Sequence, residues 1–282
     1  MSSSLKERIG ASALHTLDAM RLTPARFAAY TGARRALGSY EVLDEAALHA
    51  TRRSDAVFIF GSGYSINDLR PDDLAHFEAG DTLGFNWFVH QGLLRMDYHL
   101  VREIARDDRD STVWRPQIEE YFGLVRQNDG YHDTIFLLQS GLRAINANRA
   151  LSLHLVPDGS RVFPWRSARG RRELGRSFAV GLSHPHSTLE ECVNFAALLG
   201  WREIVLVGVD LYDRRYFWLE AEQTRAEDTA RGASHAQTHS RAASGMIETL
   251  GSWAEELAAR GVTLSVYNPR SLLAAVLPVY TR

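Results

Sequence analysis

The side chains best equipped for chemistry fall in a few short stretches. His235-Ala236-Gln237-Thr238-His239-Ser240 sets two imidazoles four residues apart, which on a helix is half of a metal site. A zinc-protease helix would carry a glutamate beside the first histidine, and Ala236 stands there instead. His184 and His186 form a second pair, so a four-histidine site is conceivable. A single histidine acting as general base is the stronger reading, because an unperturbed imidazole titrates near neutrality. Gly61-Ser62-Gly63-Tyr64-Ser65 follows a short apolar run. Glycines there either let the backbone approach a phosphate and aim amide N–H groups at it, or simply make a tight turn. No third glycine completes a dinucleotide fingerprint, and no Gly-Lys-Ser/Thr makes a P-loop. Gly208-Val209-Asp210-Leu211-Tyr212 closes a second apolar run. Its Asp and Tyr either face a ligand beyond a strand's carboxyl end, or the Asp caps the next turn. Tyr216-Phe217-Trp218 reads as a stacking platform for a base or sugar, or as a core aromatic patch. Arg106-Asp107-Asp108-Arg109-Asp110 pairs carboxylates, but its flanking arginines make a solvated turn the better reading.

Elements must hold these groups in place. Ala56–Phe60 reads as a buried strand, with further strands over Asp81–Phe85, Asp97–Val101 and Thr134–Leu138. Ser187–Leu199 has its apolar positions on one helical face, a Ser or Thr as N-cap, and Glu190 and Glu191 in its first turn. Gly200 stops it, and Ile204–Val209 is another buried strand. Arg241–Arg260 reads as a long amphipathic helix before a last strand over Val262–Tyr267. This alternation predicts an α/β fold, a single Rossmann-like domain with a mostly parallel sheet over residues 55–282. Residues 1–54 read as a peripheral N-terminal helical extension. Arg161–Arg176 breaks both periodicities and reads as a loop, either a solvated one or a lid or docking patch for an anionic acceptor or a membrane surface.

Composition bounds the function. Of 282 residues, 45% are hydrophobic and 23% charged, which excludes a disordered chain. A formal net charge of −2 gives no basic field for nucleic acid. Cys192 is the only cysteine, so neither an intramolecular disulfide nor a cysteine-built zinc site can form. Lys6 is the only lysine, which leaves no catalytic lysine beyond the first residues. No apolar run is long enough to span a membrane, and the N-terminus lacks a signal-peptide core, so a cytoplasmic protein is the expectation.

In their order, these pieces resemble the bacterial sialyltransferases of glycosyltransferase family 42. GSGYSI resembles that family's strand–Gly-Asn-Gly-Pro-Ser-Leu opening, and Phe85-Asn86-Trp87-Phe88 its next strand, which ends in a nucleotide-contacting Asn. Ser187–Tyr212 is similar to its Thr-Ser-Gly helix, Gly-Tyr-Lys-Glu-Ile turn and Gly-Ile-Asp-Phe-Tyr strand end. HAQTHS resembles its His-x-x-x-His-Ser, and Asn268–Leu273 its closing Pro-Asn-Ser-Leu-Leu. The likeness spans about residues 55–275 and is densest over 187–273.

The resemblance implies a GT-A-like variant of the fold and inverting, metal-independent transfer of an acidic sugar from a CMP-sugar donor to a glycan hydroxyl. No metal or other cofactor is implied. His239 would be the base, and Tyr212 and Tyr216 would steady the leaving phosphate. Gly61, Ser62, Gly63, Ser65 and Asn86 would contact phosphate and ribose, and Gly208 and Asp210 the cytidine. Arg102 occupies the place of another nucleotide-contacting Asn, while Ser187, Thr188 and His235 match substrate-binding positions. Residues 220–232 would order over the donor. Ser62 and Tyr64 replace the family's Asn and Pro, and Pro185 stands nearest a missing arginine, so the donor stays open among sialic acid, Kdo and related nonulosonates. The expected setting is bacterial polysaccharide biosynthesis, with peripheral contact at the inner membrane and a homo-oligomer left open.

The pterin diphosphokinase-like proteins share the glycine opening and the Gly-x-Asp-Leu strand end. They make an ATP- and magnesium-dependent pyrophosphoryl transferase, using acids such as Asp210 and Asp213, the second reading. A non-catalytic nucleotide-binding module is the third.

Overall fold

The computed structural model describes residues 24–102, 104, 111–212, 215–219 and 245–282. Helix α1 covers residues 24–36, strand β1 Glu41–Val42 and helix α2 Glu45–Ala50. There follow β2 (Ala56–Phe60), α3 (Pro71–Ala79), β3 (Asp81–Phe85), β4 (Tyr98–Val101), α4 (Ser111–Gln127), β5 (Ile135–Gln139) and α5 (Ile145–Ser152). Next come β6 (Arg161–Trp165), β7 (Ser167–Arg169), β8 (Leu182–His184), α6 (Thr188–Leu199), β9 (Glu203–Val207), α7 (residues 245–258) and β10 (Thr263–Val266).

Eight strands form one sheet in the order β1-β6-β5-β4-β3-β2-β9-β10, and every pairing is parallel. Parallel strands buried on both faces read as continuous apolar runs, and this explains Val57-Phe58-Ile59-Phe60. Val57 and Ile59 join the core beneath α6 and α7, with Ile204, Leu206, Phe195, Leu250 and Trp253. Phe58 and Phe60 face the opposite core with Phe77, Ile118, Phe122, Val205 and Val207, beneath α3 and α4. The result is a three-layer α/β fold, as the alternation predicts. Helix α6 forms where expected. Ser187 and Glu190 make a reciprocal capping box, and Gly200 ends the helix with φ 86°, a left-handed conformation suited to glycine.

Two expectations are corrected. Arg161–Arg176 is not a loop throughout, since β6 lies in the main sheet between β1 and β5, and β7 pairs with β8 in a small second sheet. Pro164 argues against an interior strand and the arginines dilute the apolar signal, yet Val162, Phe163 and Trp165 are buried there. The N-terminal segment is not wholly helical or peripheral either. Glu41 and Val42 extend the sheet beyond β6 as its edge strand.

The amino edge is tied by Asp81, which is fully buried. Its carboxylate accepts from the backbone N–H groups of Arg53 and Ser54 and from Trp201 Nε1 at 2.8 Å. Asp81→Ala leaves these buried donors unsatisfied and should cost roughly 3 kcal/mol in urea unfolding. A loss below about 0.5 kcal/mol would show that the tie is dispensable.

Candidate functional site

The sheet reverses its winding between β2 and β9. After β2 the chain moves toward β3 on one side, and after β9 it moves toward β10 on the other. Open α/β sheets bind ligands in the crevice beyond the carboxyl ends of strands at such a switch point. Both Gly61–Ser65 and Gly208–Asp210 emerge there.

The glycines serve a close crossing of these two loops. Gly61 N–H donates to Val207 O and Gly63 N–H to Gly208 O, both at 2.8 Å. A Cβ on Gly61 would lie 2.6 Å from Gly208 O, and one on Gly63 would lie 2.5 Å from Asp210 Oδ2. Gly208 has φ 65° and abuts Ile66. The Gly61 and Gly63 amides therefore face β9 and not a ligand, and the first loop also pairs with the segment after β9, where Phe217 N–H donates to Ser62 O at 3.3 Å. The side chain of Arg215 lies over the Tyr64 ring, 3.7 Å from its centroid.

Asp210 is buried and fully engaged. Oδ1 accepts from Ser65 Oγ at 2.5 Å and from Asn268 Nδ2 at 2.8 Å, while Oδ2 accepts from Ser65 N–H at 2.9 Å. Asn268 Nδ2 also reaches Tyr212 Oη at 3.2 Å. Asp210 thus shapes the crevice by joining loops. Tyr212 is 43% exposed at the rim. Tyr216 bridges Gly63 across the first loop, and its ring begins a stack that continues through Trp218 to His90 and Trp87.

Asn86 and Thr188, 102 residues apart, are brought together, with Asn86 Nδ2 donating to Thr188 Oγ1 at 3.2 Å. Asn86 has φ 47°, a left-handed conformation that Asn tolerates better than most residues. His99 supports its carbonyl through Nε2 at 3.1 Å. The other His99 nitrogen accepts from Tyr131 Oη at 3.0 Å, and Tyr121 Oη lies 2.7 Å from Nε2. Burial in this setting lowers the His99 pKa to about 3.

Arg102 does not project into open space. Its side chain is buried, with Nη1 paired to Glu191 Oε1 and donating to Ser167 Oγ at 3.1 Å. Ser187 caps α6 and donates from Oγ to Met246 Sδ at 3.1 Å, which sets it beside the start of α7. His235 and His239 lie outside the described residues, as do Asp213 and residues 220–232. Among the described residues, no three His, Cys, Asp or Glu side chains converge as a metal site.

Sequence reasoning missed the partners of the other two histidines. His186 Nδ1 is 3.0 Å from Glu190 Oε1, while Glu190 Oε2 accepts from the backbone N–H groups of His186 and Ser187. The Nε2 edge of His186 faces Gly245, where a Cβ would come within 2.6 Å of it. His184 Nδ1 meets Ser187 O at 3.0 Å and lies 3.5 Å from Glu191 Oε2. The i, i+4 spacing of His186 and Glu190 was the available signal. Because Glu190 already sits on the amides at the start of α6, that helix end is compensated by the chain's own anion.

Comparison with known proteins gives no match, either to a family model or to a curated protein. Among the described residues, no helix is long and apolar enough to cross a membrane.

The buried His99 yields a pH test. Its folded pKa lies below the unfolded value of about 6.5, so the unfolded chain binds more protons between about pH 6.5 and 3. Its contribution to stability is therefore whole above about pH 6.5 and is lost as pH falls toward 3. His99→Gln should flatten the acid slope by up to about 1.4 kcal/mol per pH unit in urea titrations at pH 7, 6, 5 and 4. Parallel slopes for the two proteins would refute this.

Proposed function

We propose that the chain is an inverting glycosyltransferase that moves an acidic sugar from a CMP-sugar to a glycan hydroxyl without a metal. One observation carries the reading. The two loops whose motifs resemble a CMP-sugar site cross at the switch point of the sheet, with Asn86 and Thr188 joined on the same edge. Tyr212 and Tyr216 also border this crevice, on the segment that follows β9.

In this reading the acceptor oxygen attacks the anomeric carbon as the bond to the CMP phosphate breaks. His239 takes the acceptor proton, and the departing phosphate keeps the bonding electrons. Tyr212 and Tyr216 donate hydrogen bonds to the charge that develops there. The Arg215 guanidinium, beside the first loop over the Tyr64 ring, is suited to the same phosphate. Asp210, with three donors already on its carboxylate, favours this reading over a magnesium-dependent one in which it would bind metal.

Thermal unfolding with CMP, with ATP and Mg²⁺, and with a pterin tests the proposal. A ligand at 100 times its Kd adds about 2.7 kcal/mol of stability, which is readily seen in Tm. CMP should raise Tm equally with and without EDTA. His239→Ala should keep that shift while transfer from a CMP-sugar falls by roughly a hundredfold or more. A shift with ATP and Mg²⁺ alone would replace this reading with pyrophosphoryl transfer.

A further inference from the structure

A second cavity lies away from the crevice, under α1, where the helix crosses the carboxyl ends of β5 and β6. We propose that it is a separate binding site for an anion carried on an apolar body, such as an alkyl phosphate or carboxylate. Its volume is about 460 Å³, within the roughly 300–1,000 Å³ typical of small-molecule sites. Protein interiors fill such volumes when they only need to pack, so an open space of this size at the ligand-binding edge is notable.

The lining divides by chemistry. Leu138, Leu151 and Val162 are buried and supply an apolar floor. Arg34 from α1 and Arg166 just past β6 are exposed members of the same lining, which contains no carboxylate. Neither arginine forms an ion pair with a described residue, unlike Arg102, which is neutralised by Glu191. Buried Asn148 lines the cavity as well, with Nδ2 donating to Gly141 O at 2.9 Å, and so fixes the loop after β5.

Two guanidinium groups over a low-dielectric floor concentrate positive potential, and each presents a planar fork that fits a phosphate or carboxylate. The floor rewards an alkyl or aryl group that would otherwise face water. Neither half of such a ligand suffices alone. A free anion leaves the floor wet, and a neutral hydrocarbon leaves the arginines unused. Strands β3 and β4 stand between β2 and β5, which sets the cavity about 14 Å from the crevice at ordinary strand spacing. The site is therefore spatially separate from the crevice of the proposed glycosyl transfer. It also gives a role to Arg166, part of the arginine-rich stretch that the transfer reaction does not use.

Titration calorimetry of the full chain with octyl phosphate, kept monomeric, tests this. Octanol and inorganic phosphate should each bind at least about tenfold more weakly. The double variant Arg34→Glu, Arg166→Glu changes exposed positions, so it should keep its circular dichroism spectrum and lose about tenfold or more in affinity for octyl phosphate. Vesicles of phosphatidylcholine with phosphatidic acid form a second arm. Co-sedimentation that the double variant abolishes identifies the anion as a lipid headgroup, and octyl phosphate binding without co-sedimentation identifies a soluble ligand. Undiminished binding of octyl phosphate by the double variant, or binding in neither arm, overturns the proposal.

Discussion

Asp210 lies beyond the end of β9, and its two carboxylate oxygens accept hydrogen bonds from the loop after β2 and from Asn268 after β10. Three adjacent strands thus have their carboxyl-end loops tied to one buried anion. Neighbouring bonds extend the tie, since Ser271 Oγ donates to Val209 O and Leu272 N–H to Asp210 O. A buried carboxylate is tolerable when N–H and O–H donors surround it, and the same donors would be costly to leave unpaired. The glycines at 61, 63 and 208 are the steric half of this arrangement, because any side chain there would drive the loops apart. The glycines and the buried carboxylate together set the floor of the crevice, and Tyr212, Tyr216, Asn86 and Thr188 lie around it.

The start of α6 follows the same logic. Glu190 and Glu191 are adjacent and fully buried, yet each has its own partners. Glu190 holds His186 and two backbone amides, while Glu191 holds Arg102 and Ser167. Two buried carboxylates side by side are sustained only because each has its own set of donors. The arrangement fixes the orientation of His186 and removes Arg102 from the list of free cations at the edge.

Much of the fold was legible in the sequence because β2, β9 and α6 are buried on nearly every side. Their apolar runs end at Gly61, Gly200 and Gly208, where the backbone must cross closely or turn left-handed. Strand β6 was hidden because its pairing with β1 and β5 shows only in three dimensions, and because Pro164 and the arginines mask its buried residues. The site was legible as a set of positions and less so as a set of roles. Asp210, Gly63 and Arg102 stand at the expected edge, yet their polar groups bind the protein itself. No local pattern reveals that, since Ser65 meets Asp210 across 145 residues and Arg102 meets Glu191 across 89.

The same separation has a consequence for biosynthesis. Strand β2 is made early and pairs promptly with β3, but its other edge waits for β9, which emerges from the ribosome far later. Until then the apolar strand Val57–Phe60 presents an unpaired parallel edge, the kind of surface that recruits other chains. Long-range parallel pairing is also slow, because loop closure must be met before the contacts reward it. Nascent or truncated chains that stop before β9 therefore expose their most hydrophobic edge, and the crevice comes into being only as the last third of the protein docks.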